Sequence, residues 1–216
     1  MEVDLLKNYP RAKRNLDERA EQKTEQDRAI ARKFGKDFFD GDRRHGYGGF
    51  SYQPRFWQPV IPTFQEFYQL TKSSSVLDVG CAKGFMLFDF TNLIPGIGVR
   101  GVDVSQYAIE NSLPSVKPFL SVASALELPF EDKEFDLGIS INTVHNLEVS
   151  DWGKGLLELQ RVSKRSYITV DAYRNDEEKE RMYKWNLTAK TIMHADEWKA
   201  FFREIGYVGD YYWFIP

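Results

Sequence analysis

Between residues 76 and 84 the chain reads Val76-Leu77-Asp78-Val79-Gly80-Cys81-Ala82-Lys83-Gly84. The apolar run with its β-branched valines fits a buried strand, and the glycines let the backbone turn sharply and approach a ligand closely. Phe85 to Leu93 follows at once as an amphipathic, helix-like stretch. Strand, turn and helix in direct succession open a βαβ unit, which commits the chain to parallel strands joined by crossover helices. In such sheets a ligand sits beyond the carboxyl ends of the strands.

The segments downstream repeat the alternation. Val99 to Val104 reads as a second strand, Gln106 to Asn111 as a short helix, Phe119 to Val122 as a third strand and Phe135 to Asn142 as a fourth. Asp151 to Val162 has helical spacing and Tyr167 to Val170 reads as a fifth strand. Then come a charged helix, Asn175 to Trp185, a helix from Ala195 to Ile205 stopped by Gly206, and an aromatic terminal strand, Tyr207 to Ile215. The expected fold is α/β: a doubly wound, mostly parallel, Rossmann-like sheet of six or seven strands with helices on both faces. Upstream, residues 11–36 are cation-rich with a weak apolar stripe, read as a helix with Gly35 as its stop. The glycine-rich loop 40–52 and three prolines lead into a helix from Pro62 to Thr71. Residues 1–71 are thus expected to form a helical and loop extension with a glycine-aromatic lid, part of the same domain as 72–216.

Asp103 closes the second strand about nineteen residues after Gly84, the spacing at which a carboxylate meets a ribose diol. A dinucleotide and an adenosyl ligand both fit that pattern, and the turn separates them. Gly-Cys-Ala-Lys-Gly lacks the second and third glycines of Gly-x-Gly-x-x-Gly, and Asp78 would oppose a diphosphate while suiting a cationic amino-acid tail. With Ser124-Ala125-Leu126-Glu127-Leu128-Pro129-Phe130 ahead of the Phe135-Asp136-Leu137 strand, residues 72–172 resemble the class I S-adenosylmethionine-dependent methyltransferases. The resemblance implies S-adenosylmethionine as cofactor and S-adenosylhomocysteine as product, with no metal. It implies a cofactor loop of Asp78, Gly80, Cys81, Ala82 and Gly84, a ribose-binding end at Asp103 and Val104, an adenine loop at Ser124 and Ala125, and Asn142 at the end of the fourth strand. Ala82 stands where a third glycine is common, and Ser124 where many members carry an aspartate.

For the acceptor side, His145 follows the fourth strand and is the candidate base, with packing against the next helix as the alternative. Arg43, Arg44, Tyr47 and Tyr52 in the glycine loop, and Tyr173 and Arg174 past the fifth strand, are candidate substrate-binding groups. Solvated arginines, or an Arg174 pair with the adjacent acids, are the alternatives. Arginines and tyrosines favour a small, polar, anionic acceptor methylated on N or O, loosely similar to amino-alcohol phosphates. Ile-Asn-Thr-Val after the fourth strand, in place of Asn-Pro-Pro-Tyr, counts against base methylation. So does the charge balance, 29 Lys and Arg against 32 Asp and Glu, which gives no general pull toward nucleic acid or anionic membrane. One cysteine and no secretory pattern point to a cytoplasmic, reducing setting, and the dispersed histidines to no metal site. A non-catalytic adenosyl-binding scaffold and a nicotinamide oxidoreductase are the competing classes; oligomeric state is left open.

Overall fold

The computed structural model describes residues 1–10, 16–21, 23–47 and 51–216. The extension contributes α1 (Leu16–Glu21), α2 (Glu25–Ala31), α3 (Lys36–Asp40), α4 (Pro54–Trp57) and α5 (Ile61–Tyr68). From residue 75 strands and helices alternate: β1 (Ser75–Val79), α6 (Phe85–Leu93), β2 (Gly98–Asp103), α7 (Gln106–Glu110), β3 (Leu120–Val122) and β4 (Phe135–Ile141). The chain then runs through α8 (Trp152–Val162), β5 (Ser163–Tyr173), α9 (Asp176–Trp185), β6 (Met193–His194), α10 (Ala195–Ile205) and β7 (Asp210–Phe214).

The seven strands order as β3-β2-β1-β4-β5, with β6 and β7 both paired to β5. Every one of these pairings is parallel. Connections leave β1 toward β2 and β3, and the chain returns to place β4 on the opposite side of β1. The crevice at the carboxyl ends of β1 and β4 is therefore the switch point at which such sheets bind ligands. Successive strand residues point to opposite faces, and the core divides accordingly. Val76, Leu137, Ile139 and Tyr167 pack with Phe64, Tyr68, Leu87 and Phe90 of α5 and α6. Leu77, Ile168 and Val170 pack with Trp152, Leu156, Leu159, Trp198 and Phe202 of α8 and α10. A third cluster ties the extension to the ligand end of the sheet: Ala31, Phe38 and Phe39 meet Ala108 and Leu187, with Phe34, Tyr47, Ala82 and Tyr107 against them.

Several boundaries differ from the sequence reading. The basic segment is two helices among its described residues, because Thr24 and Asp27 form a reciprocal capping box that starts α2 afresh. Gly35 caps the start of α3 and stops no helix. A one-turn helix, Arg43–His45, interrupts the glycine loop, whose residues 48–50 lie outside the described residues, as do 11–15 and 22. β5 begins at Ser163, well before the apolar Tyr167-Ile168, since Phe135 of β4 pairs with Ser163 and Leu137 with Arg165. Polar Ser163 and Ser166 are buried there, where Gly138 leaves room for the Ser163 hydroxyl. Among the described residues no helix is long and apolar enough to cross a membrane.

Candidate active site

The turn after β1 is built on three left-handed residues: Gly80 (φ 86°), Ala82 (φ 50°) and Gly84 (φ 76°). A Cβ on Gly80 would stand 2.1 Å from Thr143 Oγ1, so this glycine is required by conformation and by the β4 side of the crevice. Ala82 adopts a backbone that costs a non-glycine residue roughly 1–2 kcal/mol, and its methyl packs into the aromatic cluster of the extension. The departure from the three-glycine pattern thus has a structural counterpart. The amides of Gly80 and Cys81 donate to the Val102 carbonyl at 2.8 and 3.0 Å, and that of Ala82 to Asp103 Oδ2 at 2.8 Å. With three turn N–H groups already engaged inside the protein, little is left to cradle a diphosphate.

Asp103 also accepts from the Ser105 amide at 2.8 Å, so both carboxylate oxygens are fixed at the mouth of the crevice. Burial raises its pKa, and the two N–H donors oppose that rise. Asp78 is buried with no hydrogen-bond partner among the described residues, and it borders the same cleft. Burial first, and Asp103 second, push its carboxyl up to about 7. An unpaired, half-ionised carboxylate is a receptor for a cation. Cys81 is buried and its thiol is pushed up by burial and by both aspartates, which leaves it inert as a nucleophile.

The cleft measures about 1870 Å³ and runs from β1 and β4 to the extension and the chain's last residues. It is bordered by Asp78, Gly80, Cys81, Ala82, Asp103, Val104, Ser124, Ala125, Asn142 and His145, so nine of the ten cofactor candidates and the catalytic candidate share one cavity. Gly84 alone stands behind it, closed off by Leu120 and Val116. Val104 is largely exposed, as an edge for a flat ring would be. Ser124 uses its hydroxyl to accept from the Leu126 amide, so it shapes the loop. Asn142 sits at φ 53°, held by Thr169: its amide N–H donates to Thr169 O and Oγ1, and Thr169 Oγ1 donates to Asn142 Oδ1. Among the described residues no cluster of metal ligands forms.

The acceptor-side residues fare differently. Arg43 borders the cleft and makes no ion pair among the described residues. Arg44 borders it too, but is held by Asp42. Tyr47 is a structural post: its hydroxyl accepts from the Leu187 and Thr188 amides at 2.9 and 3.1 Å. Tyr52 faces away, donating to buried Asp89 at 2.7 Å. Arg174 forms a two-pronged pair with Glu178, and Tyr173 lies off the cleft against His194 and Lys179. Arg43 apart, each of these groups has a partner within the protein, and Tyr47 and Arg174 border the cleft while held by theirs. His145 reaches the cleft, but its Nδ1 accepts the Asp171 amide proton at 3.0 Å. The remaining proton of the neutral ring therefore sits on Nε2, and the lone pair expected of a base is not offered to the cavity.

Other groups emerge only in three dimensions. Lys83 of the turn pairs with Asp40 of α3 at 2.6 Å, and Tyr107 donates to the same carboxylate at 2.7 Å. The Ser105 hydroxyl donates to the Phe34 carbonyl. Arg19, Lys23, Arg28 and Arg32 donate to backbone carbonyls between residues 184 and 188, at the end of α9. The basic extension is thus a strap from the turn after β1 to α9, its cations spent on carbonyl groups at a helix C-terminus. Arg55 and Arg181 also border the cleft and form no ion pair among the described residues. Thr143 is the wall of Gly80. No periodicity signals these partners, which lie tens of residues apart.

Residues 76–166 match a family model described as a methyltransferase domain. An uncharacterized protein of Haemophilus influenzae is 28% identical over 150 residues, covering 63% of this chain and 59% of that protein. The chain therefore spans less than two thirds of that relative's length. Among solved structures, a chain of the complex between the Haloferax volcanii Trm112 methyltransferase activator and a protein described as a methyltransferase superposes with a TM-score of 0.57. It is 19% identical, with 91% of this chain and 77% of that one covered. The YcgJ protein of Bacillus subtilis gives 0.55 at 20% identity, over 67% of this chain and 66% of its own. The [4+2]-cyclase SpnF gives 0.57 at 20% identity, over 78% and 61%. At these identities the likeness is one of fold.

Proposed function

We propose that this chain, whose residues 76–166 form a methyltransferase domain on the class I fold, transfers the methyl group of S-adenosylmethionine to an oxygen or nitrogen of a small, polar, anionic metabolite. The observation that carries the reading is the pairing of two differently prepared carboxylates in one crevice. Asp103 is fixed by two amides, ready to accept the two hydroxyls of a ribose. Asp78 is buried without a hydrogen-bond partner, ready for the α-ammonium of the methionyl tail. Val104, Ser124 and Ala125 would line the adenine, and Gly80 to Ala82 would face the tail.

When bound, the cofactor supplies an electrophilic methyl on a sulfonium, and the protein's part is to hold the acceptor in line with it. Such positioning is worth roughly 7–11 kcal/mol. The anionic character of the acceptor rests on Arg43 and Arg181 at the cleft. SpnF, described as a cyclase on the same fold, keeps a second reading alive: a site that binds the cofactor and does other work.

Calorimetry with S-adenosylmethionine, S-adenosylhomocysteine and reduced nicotinamide cofactor tests the proposal. Binding of the first two and not the third is expected. Failure of both adenosyl compounds to bind at millimolar concentration would end it. Tight binding with no methylated product from any small-metabolite pool would favour the second reading.

A further inference from the structure

We infer that His145 is a hydrogen-bond donor that positions the acceptor, and that the methylated group is a carboxylate oxygen. This rests on the methyl-transfer reading above and narrows its acceptor. The side chain of His145 is 3% exposed, in the one-turn helix Val144–Asn146 that follows β4. Its backbone is pinned by the Lys190 amide, which donates to the His145 carbonyl at 3.1 Å, and its ring by the Asp171 amide on Nδ1. Protonating Nδ1 would set two N–H groups against each other. The charge facing that nitrogen from β5, Asp171 Oδ1, is 3.7 Å away, too far to accept from it.

Nε2 therefore carries the proton, donates to none of the described residues, and belongs to a ring that borders the cleft. Burial holds the ring's pKa down to about 3, so the imidazole stays neutral. An N–H on the cleft wall with no protein acceptor is free to donate to one on the ligand.

The other carboxylates on the cleft are engaged elsewhere. Asp78 and Asp103 face the cofactor side, Glu178 is held by Arg174, and Asp4, Glu18 and Asp171 have partners of their own. An ammonium acceptor must lose a proton before it can attack, and His145 turns no lone pair to the cleft to take it. A carboxylate needs no such help. One oxygen lone pair attacks the methyl carbon, the C–O bond forms as the C–S bond breaks, and the bonding pair goes to sulfur. The products are a neutral methyl ester and a neutral thioether, and no proton is released. The second carboxylate oxygen accepts from His145 Nε2, which orients the nucleophile without neutralising it. Arg43 and Arg181 suit further negative charge on the same molecule.

The following measurements on the 216-residue chain test this. Nitrogen-15 NMR of the unmutated protein should show Nδ1 bare and Nε2 protonated across pH 6 to 8; a protonated Nδ1 would overturn the inference. Incubation with methyl-labelled S-adenosylmethionine and a panel of small mono- and dicarboxylates, amines and phosphorylated amino-alcohols should give label that mild base releases as methanol, the signature of an ester. Base-stable label on an amine would also overturn it. His145→Gln keeps an N–H donor and should retain kcat/KM for the acceptor within about tenfold, with a flat pH profile, whereas His145→Ala should lose a hundredfold. A glutamine variant that binds cofactor yet is as inactive as alanine, beside a parent whose rate climbs through pH 6 to 7, means His145 is a base after all. Calorimetric loss of cofactor binding in the parent would sink the methyl-transfer reading itself; cofactor binding with a base-stable product sinks only the carboxylate.

Discussion

Replacing Asp78 by asparagine separates what the fold tolerates from what the ligand requires. In the ligand-free protein burial and Asp103 raise this carboxyl from 3.8 to about 7. A folded pKa above the unfolded one means that, between about pH 4 and 7, the folded state keeps a proton the unfolded chain has lost. Stability therefore falls as pH rises through that window, and the penalty is complete above about pH 7. At about 1.4 kcal/mol for each pH unit the cost is roughly 4 kcal/mol at pH 8 and roughly 2 kcal/mol at pH 5. Asp78→Asn has nearly the same shape and no charge. Its stability advantage over the parent should be about 2 kcal/mol larger at pH 8 than at pH 5, or roughly 4–8 °C in Tm for a chain of this size. Comparing the two pH values cancels any fixed cost of burying the amide. The same variant should bind S-adenosylmethionine more weakly, and the parent should release a proton on binding near pH 6, seen as a binding enthalpy that changes with the buffer's ionisation heat. A Tm difference that is the same at both pH values would refute the argument that Asp78 is a strained, partly neutral acid awaiting a cation.

Gly80→Ala should destabilise the fold by about 2–4 kcal/mol, from the left-handed backbone and the encounter with Thr143. Urea unfolding measures it, and Thr143→Ala should recover part of the loss; a neutral Gly80→Ala would mean the turn is free to rearrange. Asp103→Ala removes the ribose acceptor and leaves the Ala82 and Ser105 amides unpaired, so calorimetry should find cofactor binding weaker by ten- to a hundredfold. An unchanged Kd in the folded variant would place the ribose elsewhere. Asp40→Asn cuts the ties to Lys83 and Tyr107, and hydrogen exchange of residues 34–45 should speed up while β1 and β4 stay protected. Equal protection of that segment in parent and variant would show that the Asp40 ties are not what holds it.

Legibility followed the range of the interactions. β1, the Phe85–Leu93 helix and the Ala195–Ile205 helix could be read to within a residue, because apolar periodicity and glycine stops are properties of adjacent residues. The Ser163–Ser166 half of β5 could not, since its four polar residues become strand only by pairing with β4. The same division runs through the site. The turn and Asp103 were visible because one βαβ unit fixes their spacing. The partners that Arg174, Tyr47, Tyr52 and Tyr173 find within the protein were not visible, because a side chain's chemistry does not say which neighbour claims it.

The amino-acid order by itself determined a parallel sheet, the place of its ligand crevice and the two carboxylates that face it, for these follow from backbone conformation and strand register within some thirty residues. Which arginines remain unpaired, that the basic extension straps the turn after β1 to α9, and which nitrogen of His145 carries its proton were decided only by tertiary structure. Each depends on a contact between residues far apart in the chain, such as the Asp171 amide on His145 or the Asp40 carboxylate on Lys83, and sequence spacing carries no record of which distant group arrives first.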